Sequence, residues 1–294
     1  MKYYDEIKDK LINNEIYMRV KDYSKESSRL ETYYEVGKLL SEAGKHYGDD
    51  IIGKYSKRLS IEFKKSISAT LLKRMRQLYL IIEKGAPLAH QLTWSHYIEL
   101  LSIKDINIIK YYINITIKNS LTKRQLRDKI KSKEYERLPE DTKIKLINKE
   151  ENIITDLVPN PIIINNKNNY EVINEKALKR IILEDISFFL KELGNGFTFL
   201  DFEYKIKLYN TYNYIDLLLF NIEYNCYVVV ELKVVPLKKE HIGQIEIYMN
   251  YIDKNLRKIS HSKTIGIIIC KKDYEYVIEY SSDKRIIARY YEIE

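Results

Sequence analysis

The chain has only two cysteines in 294 residues, Cys226 and Cys270, and both sit in apolar surroundings. That scarcity excludes a disulfide-dense scaffold and fits reduced core thiols of an intracellular protein. No cysteine–histidine spacing suits a tetrahedral zinc site. No apolar run approaches the roughly 18 residues that a membrane-spanning helix requires. The opening MKYYDEIKDK is too charged for a secretory signal. A cytoplasmic protein without membrane association is the expectation.

What is abundant is charge, and it is unevenly placed. Lys and Arg total 50 against 42 Asp and Glu, a formal net charge of +8. Residues 1–140 hold 28 basic and 19 acidic side chains, whereas 141–294 hold 22 and 23. A basic half joined to a near-neutral half fits a polyanion-binding module attached to a catalytic one. A lysine-rich solvated surface gives the same totals. The length accommodates two domains, each with its own core.

Up to about Lys133 the apolar spacing is helical. Helices are expected over Ser27–Glu42 (ended by Gly44), Asp49–Phe63, Ala69–Glu83 capped by Ser68, Ile106–Asn119, and a further one capped by Thr122. Basic residues gather at Lys54, Lys57, Arg58, Lys64, Lys65, Lys73, Arg74 and Arg76, then at Lys123, Arg124 and Arg127. Both groups suit a phosphate backbone, and each residue singly also reads as a solvated helix face. No helix-turn-helix is discernible, so base readout is not implied. Trp94-Ser95-His96 reads as packing and helix capping, since no group is placed to orient the histidine as a base.

The resulting division is a helical, basic, nucleic-acid-binding domain over 1–136, a linker over 137–172, and a second domain over 173–294. Pro139, Pro159, Pro161 and the Asn-rich tract 165–169 suggest the linker, with a short helix over Thr142–Ile147. The second domain opens with a helix over Glu175–Leu193, capped by Asn174 and ended by Gly194. Strands over Phe197–Leu208, Tyr212–Phe220 and Tyr227–Leu232 follow, then a helix over Lys239–Lys254 and a strand over Thr264–Cys270. Tyr276–Tyr280 and Arg285–Tyr290 supply the last strands.

Within these apolar strands stand Asp216, Glu231 and Lys233. Strands of this kind rarely carry a carboxylate without a reason. Paired antiparallel, the second and third strands can bring Asp216 to Glu231 near one end of the sheet. Glu231 and Lys233, two apart, share a face. Two carboxylates and an ammonium suit divalent-metal phosphodiester chemistry, with hard oxygen ligands for Mg²⁺ or Mn²⁺. Asp216 and Glu231 would ligate the ion, the Leu232 carbonyl would add a ligand, and Lys233 would steady water or developing charge. Gln244 and Tyr248 lie four apart on one face of the following helix.

The ordered motifs resemble the PD-(D/E)xK nuclease superfamily. More closely, they resemble a bacterial and archaeal family with a helical N-terminal domain of unknown function and a C-terminal nuclease domain. The residues concerned are Phe189–Phe197, Tyr214–Phe220, Glu231-Leu232-Lys233, Gly243–Tyr248 and Ile265–Cys270. In the first half they are Leu72–Gln77 and Leu92–His96. The resemblance implies a restriction-endonuclease-like αβββαβ core and Mg²⁺- or Mn²⁺-dependent cleavage of nucleic acid, DNA before RNA. Asp216, Glu231, Lys233 and Gln244 are its implied catalytic residues. It implies a further carboxylate from the first core helix, for which Glu184 is the candidate and Glu175 and Glu192 its competitors, and Tyr248 is an additional site candidate. Where many members carry Gly-Arg-Gln after the Gly-x-Gly-Phe run, this chain has Asp201-Phe202-Glu203. An RNA-directed nuclease and a non-catalytic nucleic-acid-binding or assembly protein are the alternatives. Homo-oligomerisation is left open.

Overall fold

The computed structural model describes residues 2–19, 25–47, 50–151, 153–272 and 283–294. These fall into two compact units, Met1–Tyr135 and Glu136–Glu294.

The first unit is helical: α1 (Lys2–Arg19), α2 (Lys25–Tyr47), α3 (Ile51–Glu62), α4 (Ala69–Glu83), α5 (Trp94–Leu100), α6 (Ile106–Lys118) and α7 (Lys123–Lys131). Its core takes the apolar stripe of each, including Leu30, Leu40, Leu59, Leu72, Met75, Tyr97 and Ile113. Ser68 Oγ accepts from Leu71 N at 3.1 Å, and the Thr122 hydroxyl accepts from Gln125 N, so both expected caps form. His96 also caps: its Nδ1 accepts the Thr93 N–H at 3.0 Å, while Trp94 packs edge-on against Tyr33. Gly44 does not end α2, which continues to Tyr47. Leu40 and Ala43 are buried there, and packing overrides the ~1 kcal/mol local cost of glycine. The expected start of α3 at Asp49 lies outside the described residues.

The second unit contains α8 (Glu140–Asn148), a 3-10 turn (Ile154–Asp156), β1 (Ile162–Ile164), α9 (Glu175–Glu184), α10 (Ile186–Leu193), β2 (Phe197–Leu208), β3 (Thr211–Asn221) and β4 (Cys226–Leu232). The elements α11 (Lys239–Asn255), β5 (Ile265–Cys270) and β6 (Ile286–Ile293) complete it. The sheet order is β1-β6-β5-β4-β3-β2. The β2–β3–β4 pairs are antiparallel, and β4–β5, β5–β6 and β6–β1 are parallel.

Two expectations are corrected here. Residues 137–172 are no linker, because β1 enters the sheet beside β6 with Ile162 and Ile164 buried. The Arg289 guanidinium ties the same stretch down by donating to the carbonyls of Thr155 and Val158, each at 2.9 Å. The helix over Glu175–Leu193 is two helices, broken at Asp185 (φ −136°, ψ 50°). The Asp185 side chain is engaged instead by Lys167 at 2.8 Å and by Asn165, consistent with aspartate's weak preference for helix interiors. The strand expected at Tyr276–Tyr280 lies outside the described residues.

Alternation along the strands sorts the core into two layers. Val228, Val230, Leu232, Ile267 and Ile269 pack with Leu178, Ile181, Ile182 and Phe189 of α9 and α10. Val229 and Ile268 pack with Ile245, Met249 and Ile252 of α11 on the other face. Strand β5, IGIIIC, is buried throughout, as a parallel strand covered on both faces must be. Gly266 lies where α11 presses closest. A Cβ there would come within 2.6 Å of Met249 Sδ and 3.0 Å of Ile245 Cδ1.

Strand β3 pairs with β4 only from Leu217↔Val230 to Asn221↔Cys226. Its pairing with β2 continues through Tyr204↔Ile215 to Leu208↔Thr211. The β2–β3 hairpin therefore outruns the sheet at the end where Asp216 stands.

Candidate active site

Asp216 and Glu231 occupy neighbouring strands one step beyond the Leu217↔Val230 pair. Both are almost fully buried, at 4% and 2% exposure. The Leu232 backbone N–H donates to Asp216 Oδ2 at 2.7 Å, which fixes that carboxylate across the strand pair. Lys179 Nζ lies 2.6 Å from Asp216 Oδ1 and 3.4 Å from Glu203 Oε1. Lys233 Nζ donates to Glu231 Oε1 at 3.0 Å. The other oxygen of Glu231, Oε2, is buried and has no hydrogen-bond partner.

Electrostatics follows from this crowding. Burial first, then the neighbouring Asp216 charge, pushes the Glu231 carboxyl up to about 7, against the opposing pull of Lys233. Burial works against the charge on Lys233 and on Lys179. Glu231 outweighs it for Lys233 and Asp216 for Lys179, so both ammoniums are held more firmly than usual. The site thus keeps two cations charged beside two buried carboxylates.

The helix α11 supplies the second wall. Tyr248 is 4% exposed, and burial raises its hydroxyl pKa, with the Glu231 charge adding to the shift. Gln244 Nε2 donates to the Tyr248 hydroxyl at 2.9 Å. Gln244 thus engages a hydroxyl that feels the Glu231 charge.

The carboxylate expected from the first core helix is differently placed. Glu184 is engaged elsewhere: it accepts from Tyr170 at 2.7 Å, Asn168 at 2.6 Å and Arg180 at 3.0 Å. Glu192 pairs with Arg137 and accepts the Ile163 N–H at 3.0 Å. Glu175 is the one whose charge is felt by Lys233 and by His241. The physical reason is helical phase: Glu175 lies four residues before Lys179, the residue of α9 that meets Asp216, and shares its face, whereas Glu184 lies five after it. Lys179 and Glu203 were not singled out from sequence. A lysine beside the buried Leu178 reads as any lysine flanking an apolar stripe. Glu203 has φ 49°, so the strand position that departs from the Gly-Arg-Gln pattern is also backbone-irregular.

Of the candidate phosphate contacts in the first unit, five are engaged by carboxylates: Lys54 by Asp50, Arg58 by Glu62, Lys65 by Glu15, and Lys123 and Arg127 by Glu99. Lys57, Lys64, Lys73, Arg74 and Arg124 are exposed and form no ion pair among the described residues.

The second unit has the restriction-endonuclease-like core of a PD-(D/E)xK nuclease domain. Residues 155–294 match the family model "YhcG PDDEXK nuclease domain", and residues 14–137 match "DUF1016 N-terminal domain". The chain thus joins a DUF1016 N-terminal domain to a YhcG-type nuclease domain. It is 24% identical over 283 residues to "Putative nuclease YhcG" of Escherichia coli (strain K12), covering 81% of this chain and 76% of that protein. The crystal structure of a repair endonuclease from Pyrococcus abyssi aligns with a TM-score of 0.31 and 18% identity. That alignment covers 42% of this chain and 48% of the other, about half its length. No helix among the described residues is long and apolar enough to cross a membrane.

Proposed function

We propose that the second unit hydrolyses phosphodiester bonds of nucleic acid, DNA foremost, with a divalent cation held by Asp216 and Glu231. One observation carries the reading: two buried carboxylates on adjacent strands, one with a buried oxygen that nothing among the described residues satisfies. Such a group costs free energy unless something binds it. No group of three or more His, Cys, Asp or Glu side chains is close enough to hold a metal among the described residues. Two carboxylates nevertheless fit Mg²⁺ or Mn²⁺, since hard cations of this kind keep several waters.

Asp216 and Glu231 would hold the cation, and it would supply Lewis acidity toward a phosphoryl oxygen and an attacking water. The protein's own groups do the rest. Leu232 N–H keeps Asp216 oriented. Lys233, charged and 3.0 Å from Glu231, is placed to hold a water or to meet charge developing on the phosphate. Gln244 sets the Tyr248 hydroxyl, and Lys179 neutralises Asp216.

The first unit serves as the nucleic-acid-binding domain, through the five exposed cations without acidic partners. Incubating the purified chain with linear, branched and single-stranded DNA and RNA in Mg²⁺, Mn²⁺ or EDTA tests the whole reading. Cleavage that depends on the ion and vanishes in Glu231→Gln is expected. Cleavage unaffected by that substitution assigns the activity elsewhere.

A further inference from the structure

The β2–β3 hairpin continues past the last β3–β4 pair, and its two faces differ. The inner face is packed: Ile206 and Ile215 are fully buried and, with Tyr204 and Leu208, join the core under α11. The outer face carries Lys205 opposite Tyr214 and Lys207 opposite Tyr212. Cross-strand partners point to the same side, and Lys205 Nζ stands 3.9 Å from the Tyr212 ring centroid. Tyr212 is 56% exposed, Tyr214 49% and Tyr209, at the tip, 98%. Lys205 and Lys207 form no ion pair among the described residues.

This face adds no burial to the core and, among the described residues, holds itself by the Lys205–Tyr212 contact alone. Exposed tyrosines contribute little burial, and Tyr209 adopts φ 51° at a hairpin tip. Glycine or asparagine takes up that conformation at far lower cost than a bulky residue. Tyr214 is only two residues from Asp216, about 7 Å along a strand. Aromatic faces interleaved with unpaired lysines match the chemistry of unpaired nucleotides, whose bases expose π-faces and whose phosphates need cations. A closed duplex offers no free base faces, and its phosphates call for cations alone.

We propose that the outer face of the β2–β3 hairpin stacks unpaired nucleotides adjoining the scissile bond, so that the preferred substrate carries a single-stranded segment there. The proposal rests on the phosphodiesterase reading and narrows its substrate.

The experiment uses the full chain in EDTA, where binding is read without turnover. Fluorescence anisotropy would be measured with a single-stranded DNA, a single-stranded RNA, a blunt duplex and a duplex bearing a single-stranded tail. The parent should bind the single strands and the tailed duplex, and the DNA and RNA arms show whether the sugar matters. Tyr212→Ala/Tyr214→Ala should weaken single-strand and tail binding at least ~10-fold, the scale of losing stacked bases. Blunt-duplex binding should change less than about 3-fold, and Tyr212→Phe/Tyr214→Phe should keep the parent's affinities. A 2-aminopurine in the tail should change its emission on binding the parent and not on binding the alanine variant. Unchanged single-strand affinity in an alanine variant that melts like the parent overturns the proposal. So does a parent that binds no single strand, or a parent dimer that the alanine changes dissociate while affinity stays constant. Cleavage assays with Mn²⁺ separate the two readings. Tyrosine-dependent binding without any cleavage leaves this proposal standing and removes hydrolysis. Cleavage indifferent to the tyrosines and to unpaired nucleotides does the reverse.

Discussion

The Lys179 ammonium sits 2.6 Å from Asp216 Oδ1, on the carboxylate proposed to hold the cation. A lysine from α9 thus balances the charge of this buried carboxylate. Removing it strands a buried charge, which typically costs 3–5 kcal/mol when one partner of a buried pair is lost. Lys179→Met should therefore melt well below the parent in EDTA, and saturating Mn²⁺ should restore most of the difference. Thermal unfolding with and without the ion checks this. An equal deficit in both conditions would assign Lys179 a purely structural role.

The two carboxylates should separate from the lysine beside them. Asp216→Asn and Glu231→Gln should each lower cleavage at least ~100-fold, because either removes a hard-oxygen ligand from a site with few. Their calorimetric affinity for Mn²⁺ should fall as well. Lys233→Ala should lose rate while keeping most of the metal affinity. Loss of metal binding in Lys233→Ala would mean that its ammonium organises the ligands instead of the water.

Stability should depend on pH through Glu231. Its carboxyl rises from 4.5 to about 7 in the folded state. Between these values the folded chain binds more protons than the unfolded one, so stability falls as pH rises. The contribution is fully present below about 4.5 and gone above about 7, a loss on the order of 3 kcal/mol. Urea unfolding in EDTA across that range should show the decline, and Glu231→Gln should flatten it. A parent whose stability rises steadily across the window would remove Glu231 as its dominant titrating group.

Gln244 should matter for turnover more than for folding. Its hydrogen bond goes to Tyr248, whose hydroxyl pKa the Glu231 charge helps to raise. Gln244→Ala should cut the rate by roughly 10-fold or more, the scale of one positioned hydrogen bond. Its melting temperature should stay within a few degrees of the parent's. If Tyr248→Phe left the rate untouched while Gln244→Ala lowered it, Gln244 would be acting directly on substrate.

In the first unit, cations already engaged by carboxylates should contribute less to binding than free ones. Replacing Lys73, Arg74 and Arg124 by Gln in the full chain should reduce the salt slope of duplex binding by about 1 per lost phosphate contact. The change at Lys65, which Glu15 holds, should do less. Equal effects from both sets would mean that net charge alone, and not a defined surface, drives association.

Most of the architecture was legible because its signals are local. Apolar period and caps such as Ser68 and Asn174 placed the helices, and the β-branched runs around Asp216 and Glu231 placed the central strands. What escaped was long-range. β1 is three isoleucines among prolines and asparagines, and only its pairing with β6 makes it a strand. The break at Asp185 coincides with contacts from Lys167 and Asn165, neither adjacent to it in sequence. Lys179 carries no motif at all. Its role exists only because α9 is laid against the end of the sheet.

Gly266 gives the arrangement its tolerance limit. The helix bearing Gln244 and Tyr248 can settle to its depth on the sheet because β5 offers it a hydrogen atom where any other residue brings a methyl or more. The depth at which α11 rests on β5 is thus calibrated from beneath, by a residue outside the candidate site. Alanine at 266 would lift Ile245 and Met249, and with them the helix that carries Gln244 and Tyr248. A change with no chemistry of its own would then read out as slower chemistry.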